Sequence, residues 1–325
     1  MHVVLVTNEV WPLVEGGGIA RYVADAARML AAAGRQVTVL TSSRLRSKHA
    51  ELAAAGHEGV AVDGVEWAWV REPDGDLTPL WSHQHAWSLA CWEAVRELAE
   101  RVRVDVVEFE DYGGAAAATV DARRTGHPAL AETVVAVRLH TTWELTQALD
   151  DRPLESIAAR TVMALERHSL AFADAIMAPG ERALAAYRER YEELAPAVIA
   201  PMPLALRPAA DDAPPPADGP LRLLYIGRLQ RLKGVEELMR AVLAQPSGTV
   251  ELTLAGGDTQ TAPGGDSMRA YLEGLGGKGV TFLGAVPHPE LPALIGAHHT
   301  VAVPSHFEAY AYVVREALAE NRPVL

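Results

Sequence analysis

The opening of the chain, Val3-Val4-Leu5-Val6 followed by Gly16-Gly17-Gly18-Ile19-Ala20-Arg21-Tyr22-Val23-Ala24-Asp25-Ala26-Ala27-Arg28-Met29-Leu30-Ala31-Ala32-Ala33-Gly34 and then Gln36-Val37-Thr38-Val39-Leu40-Thr41, decides the fold. Val3 to Val6 is an unbroken apolar run rich in β-branched residues, the pattern of a strand buried on both faces. Ile19 to Ala33 is Ala-rich and places Ile19, Tyr22, Val23, Ala26, Met29 and Leu30 on one helical face, and Gly34 ends the helix as glycine commonly does. Gln36 to Thr41 is a second strand. Strand, crossover helix and parallel strand make a βαβ unit, so a doubly wound α/β sheet is expected.

The alternation continues. Further strands are expected at Val65 to Val70, Val104 to Phe109, Val134 to Leu139 and Ala175 to Ala178, with helices at His85 to Arg101, Leu154 to Ala171 and Ala183 to Leu194. The run from Pro201 to Pro220 is rich in proline and acid. Proline fixes φ and removes N–H donors, so this run is neither a central strand nor a helix interior. A domain boundary is placed there, giving domains at 1–200 and 221–325 around a linker at 201–220. After it the pattern restarts, with strands Leu221 to Ile226, Val250 to Ala255, Val280 to Leu283 and Thr300 to Val303 and helices Val235 to Leu243 and Leu291 to Ala297. Two α/β sheets facing a cleft are expected, with ligands beyond the carboxyl ends of the strands.

With 325 residues, each domain is large enough to bury its own core. A formal charge of -13 argues against a nucleic-acid partner and does not favour attachment to anionic membranes. The basic spots at Arg44-Leu45-Arg46-Ser47-Lys48 and Arg123-Arg124 read as solvated surface. A single cysteine, Cys91, precludes an internal disulfide and suits a reducing, cytoplasmic setting. The N-terminus lacks the pattern of a signal peptide, and no apolar run approaches the length of a membrane span. His83, His85, His298 and His299 lack the accompanying ligands of a metal site, so no metal or other cofactor is expected.

Three strand ends carry chemistry. Gly227-Arg228-Leu229-Gln230-Arg231-Leu232-Lys233-Gly234 follows the first strand of the second domain, where a phosphate is expected. Arg228 can fork two N–H donors onto phosphate oxygens, and Lys233 supplies a point charge. Lysine otherwise stands only at positions 48 and 278. Pro304-Ser305-His306-Phe307-Glu308-Ala309-Tyr310-Ala311 follows the last strand and leads into a helix containing Glu316, so the N–H groups of Ala309, Tyr310 and Ala311 are read as an anion cradle. Eight helical positions span about 12 Å, too far for Glu308 and Glu316 to hold one small group and suited to two ends of a nucleotide-sugar. Two glutamates on an amphipathic helix are, taken alone, usually just solvated. His140, after Val134 to Leu139, can hydrogen-bond a sugar hydroxyl or serve structurally. Gly17 and Gly18 permit close backbone approach of a ligand or serve only conformation. Trp67, Trp69, Trp81, Trp87 and Trp92 read as core packing ahead of ring stacking.

Together these residues resemble retaining glycosyltransferases of the two-Rossmann GT-B fold, most like family 4. Glu308 and Glu316 match that family's E-x7-E motif, Arg228 and Lys233 its diphosphate-binding basic pair, His140 its histidine near the transferred sugar, and Gly17 and Gly18 its N-terminal glycine loop. The resemblance implies an enzyme that moves a hexose from a nucleotide-diphosphate sugar to a hydroxyl of a small or soluble acceptor, with an acceptor-binding first domain and a donor-binding second domain. It implies that Glu308 contacts the donor sugar, Glu316 the ribose, and Arg228 with Lys233 the departing phosphate, with Gly227 and Ala309 to Ala311 lining the donor site. The chain departs from the family in having Ala309 and Ala311 where glycine is usual. It stops at Leu325 after a strand-like Arg322 to Leu325, so the second domain is expected to be incomplete. The stretch Asn8 to Gly18 also resembles glycogen and starch synthases, but Glu15 replaces their phosphate-binding lysine, which argues against glucan synthesis.

Other readings of the same fold are a nucleotide-sugar epimerase, for which no acid and base residues are identifiable, and a nucleotide-sugar-binding protein without turnover. An NAD-dependent dehydrogenase is disfavoured because G-x-G-x-x-G is absent.

Overall fold

A computed structural model describes residues 1–14, 17–73, 82–204 and 219–325. The chain forms two compact units, Met1–Leu145 with Leu154–Leu204, and Thr146–Pro153 with Ala205–Leu325. Most of the proline-rich run, together with Glu15, Gly16 and Trp81, lies outside the described residues.

The first unit is built on seven parallel strands, β1 (His2–Val6), β2 (Gln36–Ser42), β3 (Val65–Val70), β4 (Val106–Glu110), β5 (Val134–Arg138), β6 (Ala175–Ala178) and β7 (Ala197–Ile199), in the order β3-β2-β1-β4-β5-β6-β7. This is the Rossmann order with a further strand on one edge. The expected strands are all present to within two residues at each end. The expected helices appear as α1 (Gly18–Ala32), α3 (His83–Ala99), α6 (Ile157–Phe172) and α7 (Glu181–Arg190). Three more were not anticipated, α2 (Arg46–Ala54), α4 (Ala117–Arg124) and α5 (Trp143–Leu149), each too short or too polar for a visible apolar period.

Packing revises several side-chain readings. On α1 the buried stripe runs through Ala20, Val23, Ala24 and Ala27, and Met29 is exposed. At about 100° per residue Met29 stands half a turn round from Ala20. The basic spots are partnered: Lys48 Nζ donates to the Leu13 carbonyl at 2.9 Å, Arg123 pairs with Asp174 at 3.1 Å, and the Arg124 guanidinium lies 4.2 Å from the Phe172 ring centre. Trp87 is buried, and Trp67 and Trp69 are half-buried beside His49.

Charge also lies inside this unit. Arg138 Nε meets Glu108 Oε1 at 2.7 Å with both side chains buried, and a second contact of 3.3 Å joins Nη2 to Oε2. The Tyr22 hydroxyl also donates to Glu108, and the Ala200 carbonyl accepts from Arg138 Nη1 at 2.9 Å. Breaking such a pair strands the remaining charge. Glu108→Ala is expected to cost about 3–5 kcal/mol in urea unfolding, and a loss below about 1 kcal/mol would show that the pair is effectively solvated.

The second unit contains β8 (Leu221–Ile226), β9 (Val250–Ala255), β10 (Val280–Gly284) and β11 (Thr300–Ala302), all parallel, in the order β10-β9-β8-β11. Its helices are α8 (Val235–Leu243), α9 (Met268–Gly274), α10 (Leu291–Gly296) and α11 (Tyr312–Ala319), of which α9 was not anticipated. Leu223, Tyr225, Leu252 and Leu254 pack with Val235, Met239, Met268 and Leu272 on one face of the sheet, and Leu224, Val301, Ile295 and Ala317 pack on the other. The strand-like end pairs as expected: Val324 bridges Val301 in parallel, and Leu325 N donates to the Val301 carbonyl at 2.9 Å.

Candidate functional site

In the second sheet β8 lies between β9 and β11, so the chain leaves the carboxyl ends of β8 and β11 in opposite directions and opens a crevice there. The two loops beyond these ends carry the predicted donor residues. Lys233 closes the short turn Arg231–Lys233, and its Nζ lies 2.7 Å from Glu308 Oε1. Ser305 Oγ donates to the same oxygen at 2.7 Å. The backbones are joined as well, His306 N to the Leu232 carbonyl at 2.9 Å. Gly234 allows this approach: its φ is 65°, and a Cβ on it would stand 2.1 Å from the Pro304 carbonyl oxygen. Gly256, just after β9, lets that loop close on the one after β8, since its Cβ would stand 1.7 Å from the Gly227 carbonyl oxygen. Arg228 is exposed and makes no ion pair among the described residues, while its carbonyl accepts from the Tyr225 hydroxyl at 2.5 Å. Burial pushes that tyrosine up, so the hydroxyl stays a donor.

Helix α11 starts at Tyr312 with Ala311 as its N-cap and no side-chain cap. The free N–H groups of the first helical turn therefore begin at Tyr312, whereas Ala309 to Ala311 belong to the loop before it. Ala311 has φ −77° and ψ 92°, a conformation open to any L-residue, so its methyl requires no backbone strain. The Arg315 guanidinium sits 3.7 Å from the centre of the Tyr310 ring. Glu316 meets His288 Nε2 at 3.1 Å. The two glutamates of the motif thus have separate partners.

In the first unit the corresponding switch lies between β1 and β4. Gly17 is the N-cap of α1 and Gly18 its first residue; both are exposed, and among the described residues nothing would meet a Cβ on Gly17 within 4 Å. Its φ of −72° does not demand glycine. What these glycines offer is open space before a helix N-terminus. His140 follows β5 and packs edge-on against Tyr22 at 5.1 Å. Burial, reinforced by the charge of Arg138, pushes it down to about 3, so the imidazole is neutral at physiological pH.

Three buried carboxylates around His140 escaped the sequence reading. Asp111 Oδ1 accepts from the His140 and Thr141 amides at 3.1 and 3.4 Å, and the Tyr187 hydroxyl donates to its other oxygen. Glu166 accepts from Gly113 N at 2.8 Å, Trp143 N at 2.7 Å and Glu144 N at 3.0 Å, which ties the loop after β4 to the start of α5. Glu110 Oε2 accepts from Thr7 Oγ1 at 2.7 Å. Burial pushes Glu110 and Glu166 up to about 8 and Asp111 to about 6. The visible signal was Glu108-Phe109-Glu110-Asp111, acidic residues at the end of an otherwise apolar strand. Glu166 had none, because it lies mid-helix.

A carboxyl whose pKa is higher in the folded than in the unfolded state binds more protons when folded. Its contribution to stability is then present at low pH and is lost as pH rises from the unfolded value near 4.5 to the folded value near 8. Thermal melts between pH 5 and 8 are accordingly expected to fall less steeply for Glu110→Gln than for the parent chain; parallel curves would show Glu110 to be ionised throughout.

Residues 16–203 match the sequence profile described as Glycosyltransferase Family 4, and residues 220–325 the one described as Glycosyl transferases group 1. Glycogen synthase of Mycobacterium tuberculosis strain H37Rv is 28% identical over 343 residues, covering 100% of this chain and 77% of that protein. Among solved structures, sucrose-phosphate synthase from Thermosynechococcus elongatus aligns with a TM-score of 0.67 at 20% identity, over 99% of this chain and 80% of its own. The catalytic domain of starch synthase IV from Arabidopsis thaliana, bound to ADP and acarbose, aligns with a TM-score of 0.66 at 12% identity, over 99% and 82%. These likenesses support two Rossmann-like α/β domains of the GT-B class.

Proposed function

The chain belongs to Glycosyltransferase Family 4, and from that membership we propose that it transfers a hexose from a nucleotide-diphosphate sugar to a hydroxyl of a small or soluble acceptor, with retention of anomeric configuration. One observation carries this reading: Lys233 and Glu308, 75 positions apart, meet at the crevice where helix α11 begins. Cation, carboxylate and helix N-terminus are the three groups that a sugar diphosphate requires.

Breaking the anomeric C–O bond builds positive charge on the sugar and negative charge on the leaving diphosphate. Fixed cations and N–H dipoles already in place lower that barrier. Lys233 and Arg228 are the cations, and the first turn of α11 supplies the dipole. Glu308 accepts from sugar hydroxyls once Lys233 turns to phosphate, and Glu316 accepts from ribose hydroxyls. His140, held neutral, carries one N–H donor and one acceptor nitrogen for a hydroxyl of the transferred sugar. The acceptor hydroxyl forms the new C–O bond on the face the diphosphate leaves, and its proton passes to the departing phosphate oxygen, so no carboxylate nucleophile is needed.

ADP in the starch synthase structure supports a nucleoside diphosphate donor, and the glycogen synthase relative makes a soluble glucan primer one acceptor to try despite Glu15. A cytoplasmic setting is part of the proposal; among the described residues no helix is long and apolar enough to cross a membrane. The test is a thermal-shift screen of uridine, guanosine, adenosine and thymidine diphosphate sugars, followed by transfer assays with the product anomer read by NMR. A single stabilising donor and an α-linked product from an α-donor support the proposal. Stabilisation without turnover on any acceptor favours a binding protein, and no stabilisation at all removes the donor site.

A further inference from the structure

Residues Thr146–Pro153 leave the first unit in sequence and pack within the second. Three successive residues of this strap engage the loops beyond β8 and β9. Asp150 Oδ1 accepts from Leu232 N at 2.9 Å, and its Oδ2 accepts from Gln230 Nε2 at 2.5 Å. Asp151 meets Arg231 Nη1 at 3.5 Å, and Arg152 Nη2 donates to the Gln260 carbonyl. Asp150 is 4% exposed and Gln230 2%, so the contacts of Asp150 are interior, whereas those of Asp151 and Arg152 lie at the surface. The Leu232 amide lies in the turn Arg231–Lys233, whose free N-terminal donors no residue of the turn itself can satisfy. A carboxylate from 82 positions earlier therefore caps the turn that aims Lys233.

We propose that Asp150 is a positioning residue for the phosphate-binding loop Gly227–Gly234, acting through the Leu232 amide and Gln230 to hold the turn Arg231–Lys233 from which the Lys233 side chain reaches the donor phosphate. This inference rests on the reading that the loop binds the donor diphosphate. The rest of the loop is held from the opposite side, Arg231 N by Thr261 Oγ1 at 3.1 Å and the Leu232 carbonyl by His306 N at 2.9 Å. Without Asp150 the turn loses the one hydrogen bond that, among the described residues, runs from the strap to Leu232, and a buried N–H is left without that acceptor. Gln230 sets the chemistry of the rescue. Its Oε1 is buried with no partner among the described residues, so an asparagine at position 150 can accept from Leu232 through Oδ1 and donate through Nδ2 to a flipped Gln230 amide.

The experiment measures, on the full chain, the Kd of whichever of UDP, ADP, GDP and TDP binds the parent, along with donor and acceptor KM, for Asp150→Ala, Asp150→Asn and Lys233→Ala. The expected result is a Kd and donor KM raised about tenfold or more for Asp150→Ala, an unchanged acceptor KM, and recovery to near-parent binding in Asp150→Asn. If Asp150→Ala fails to fold, Gln230→Met, which leaves Asp150 only the Leu232 amide, is expected to raise Kd by a smaller factor. Parent-like diphosphate binding in Asp150→Ala beside weakened binding in Lys233→Ala overturns the role of Asp150 while leaving the site intact. So does Asp150→Asn as impaired as Asp150→Ala, because charge and not cap geometry would then be acting. Unchanged binding in Lys233→Ala removes the site reading itself.

Discussion

Lys233→Ala should weaken donor and nucleoside-diphosphate binding by about 2–5 kcal/mol, the cost of removing one member of a partly buried charge contact. Lys233 and Glu308 are each about a quarter exposed, at 23% and 26%, and held at 2.7 Å. The ammonium has a carboxylate partner in Glu308, so on the proposed reading donor binding would exchange one anion for another and gain from the second charge of the diphosphate. Removing the ammonium leaves Glu308 with the Ser305 hydroxyl and a repulsive field toward phosphate. Titration calorimetry with the bound diphosphate reads the loss directly, and turnover under saturating donor reads the part expressed only as the leaving group departs. An unchanged Kd together with unchanged turnover would mean that the pair is a structural salt bridge and that the phosphates lie elsewhere.

The second large effect is expected at Gly234. Alanine there must occupy the left-handed region at φ 65°, at a cost of about 1–2 kcal/mol, and its methyl would start 2.1 Å from the Pro304 carbonyl oxygen. Backbone cannot swing aside as a flexible side chain can, so the loop after β11 has to move. A total loss of about 2–5 kcal/mol in denaturant unfolding is expected when the strain is added to overpacking. Gly248→Ala is the control, because Gly248 has φ 83° with nothing within 4 Å of an added Cβ among the described residues and should show the backbone cost alone. Equal losses at the two positions would show that the two loops are less closely packed than the contact implies.

Much of this was legible along the chain. Parallel strands buried on both faces read as unbroken apolar runs, which is why Val3 to Val6, Val135 to Val137 and Leu223 to Ile226 stand out without any partner in view. The ends of β8 and β11 then located Arg228, Lys233 and Glu308, with Glu316 in the helix that follows, and the resemblance implied their roles. Short helices were less legible: α2 and α5 lack the length over which a 3.6-residue period emerges, and Met29 shows that an apolar residue in a long helix need not lie on its buried face.

The sequence by itself determined the architecture of each unit and the kind of residue at each strand end, because periodicity and turn chemistry are local properties carried by neighbouring residues. Only the tertiary structure decided which groups meet: Lys233 with Glu308, Asp150 with the Leu232 amide, and Glu166 with three amides, one after β4 and two at the start of α5. The state of His140 and Glu110 was likewise decided by burial, since desolvation depends on the surrounding atoms and not on the residues beside them in the chain.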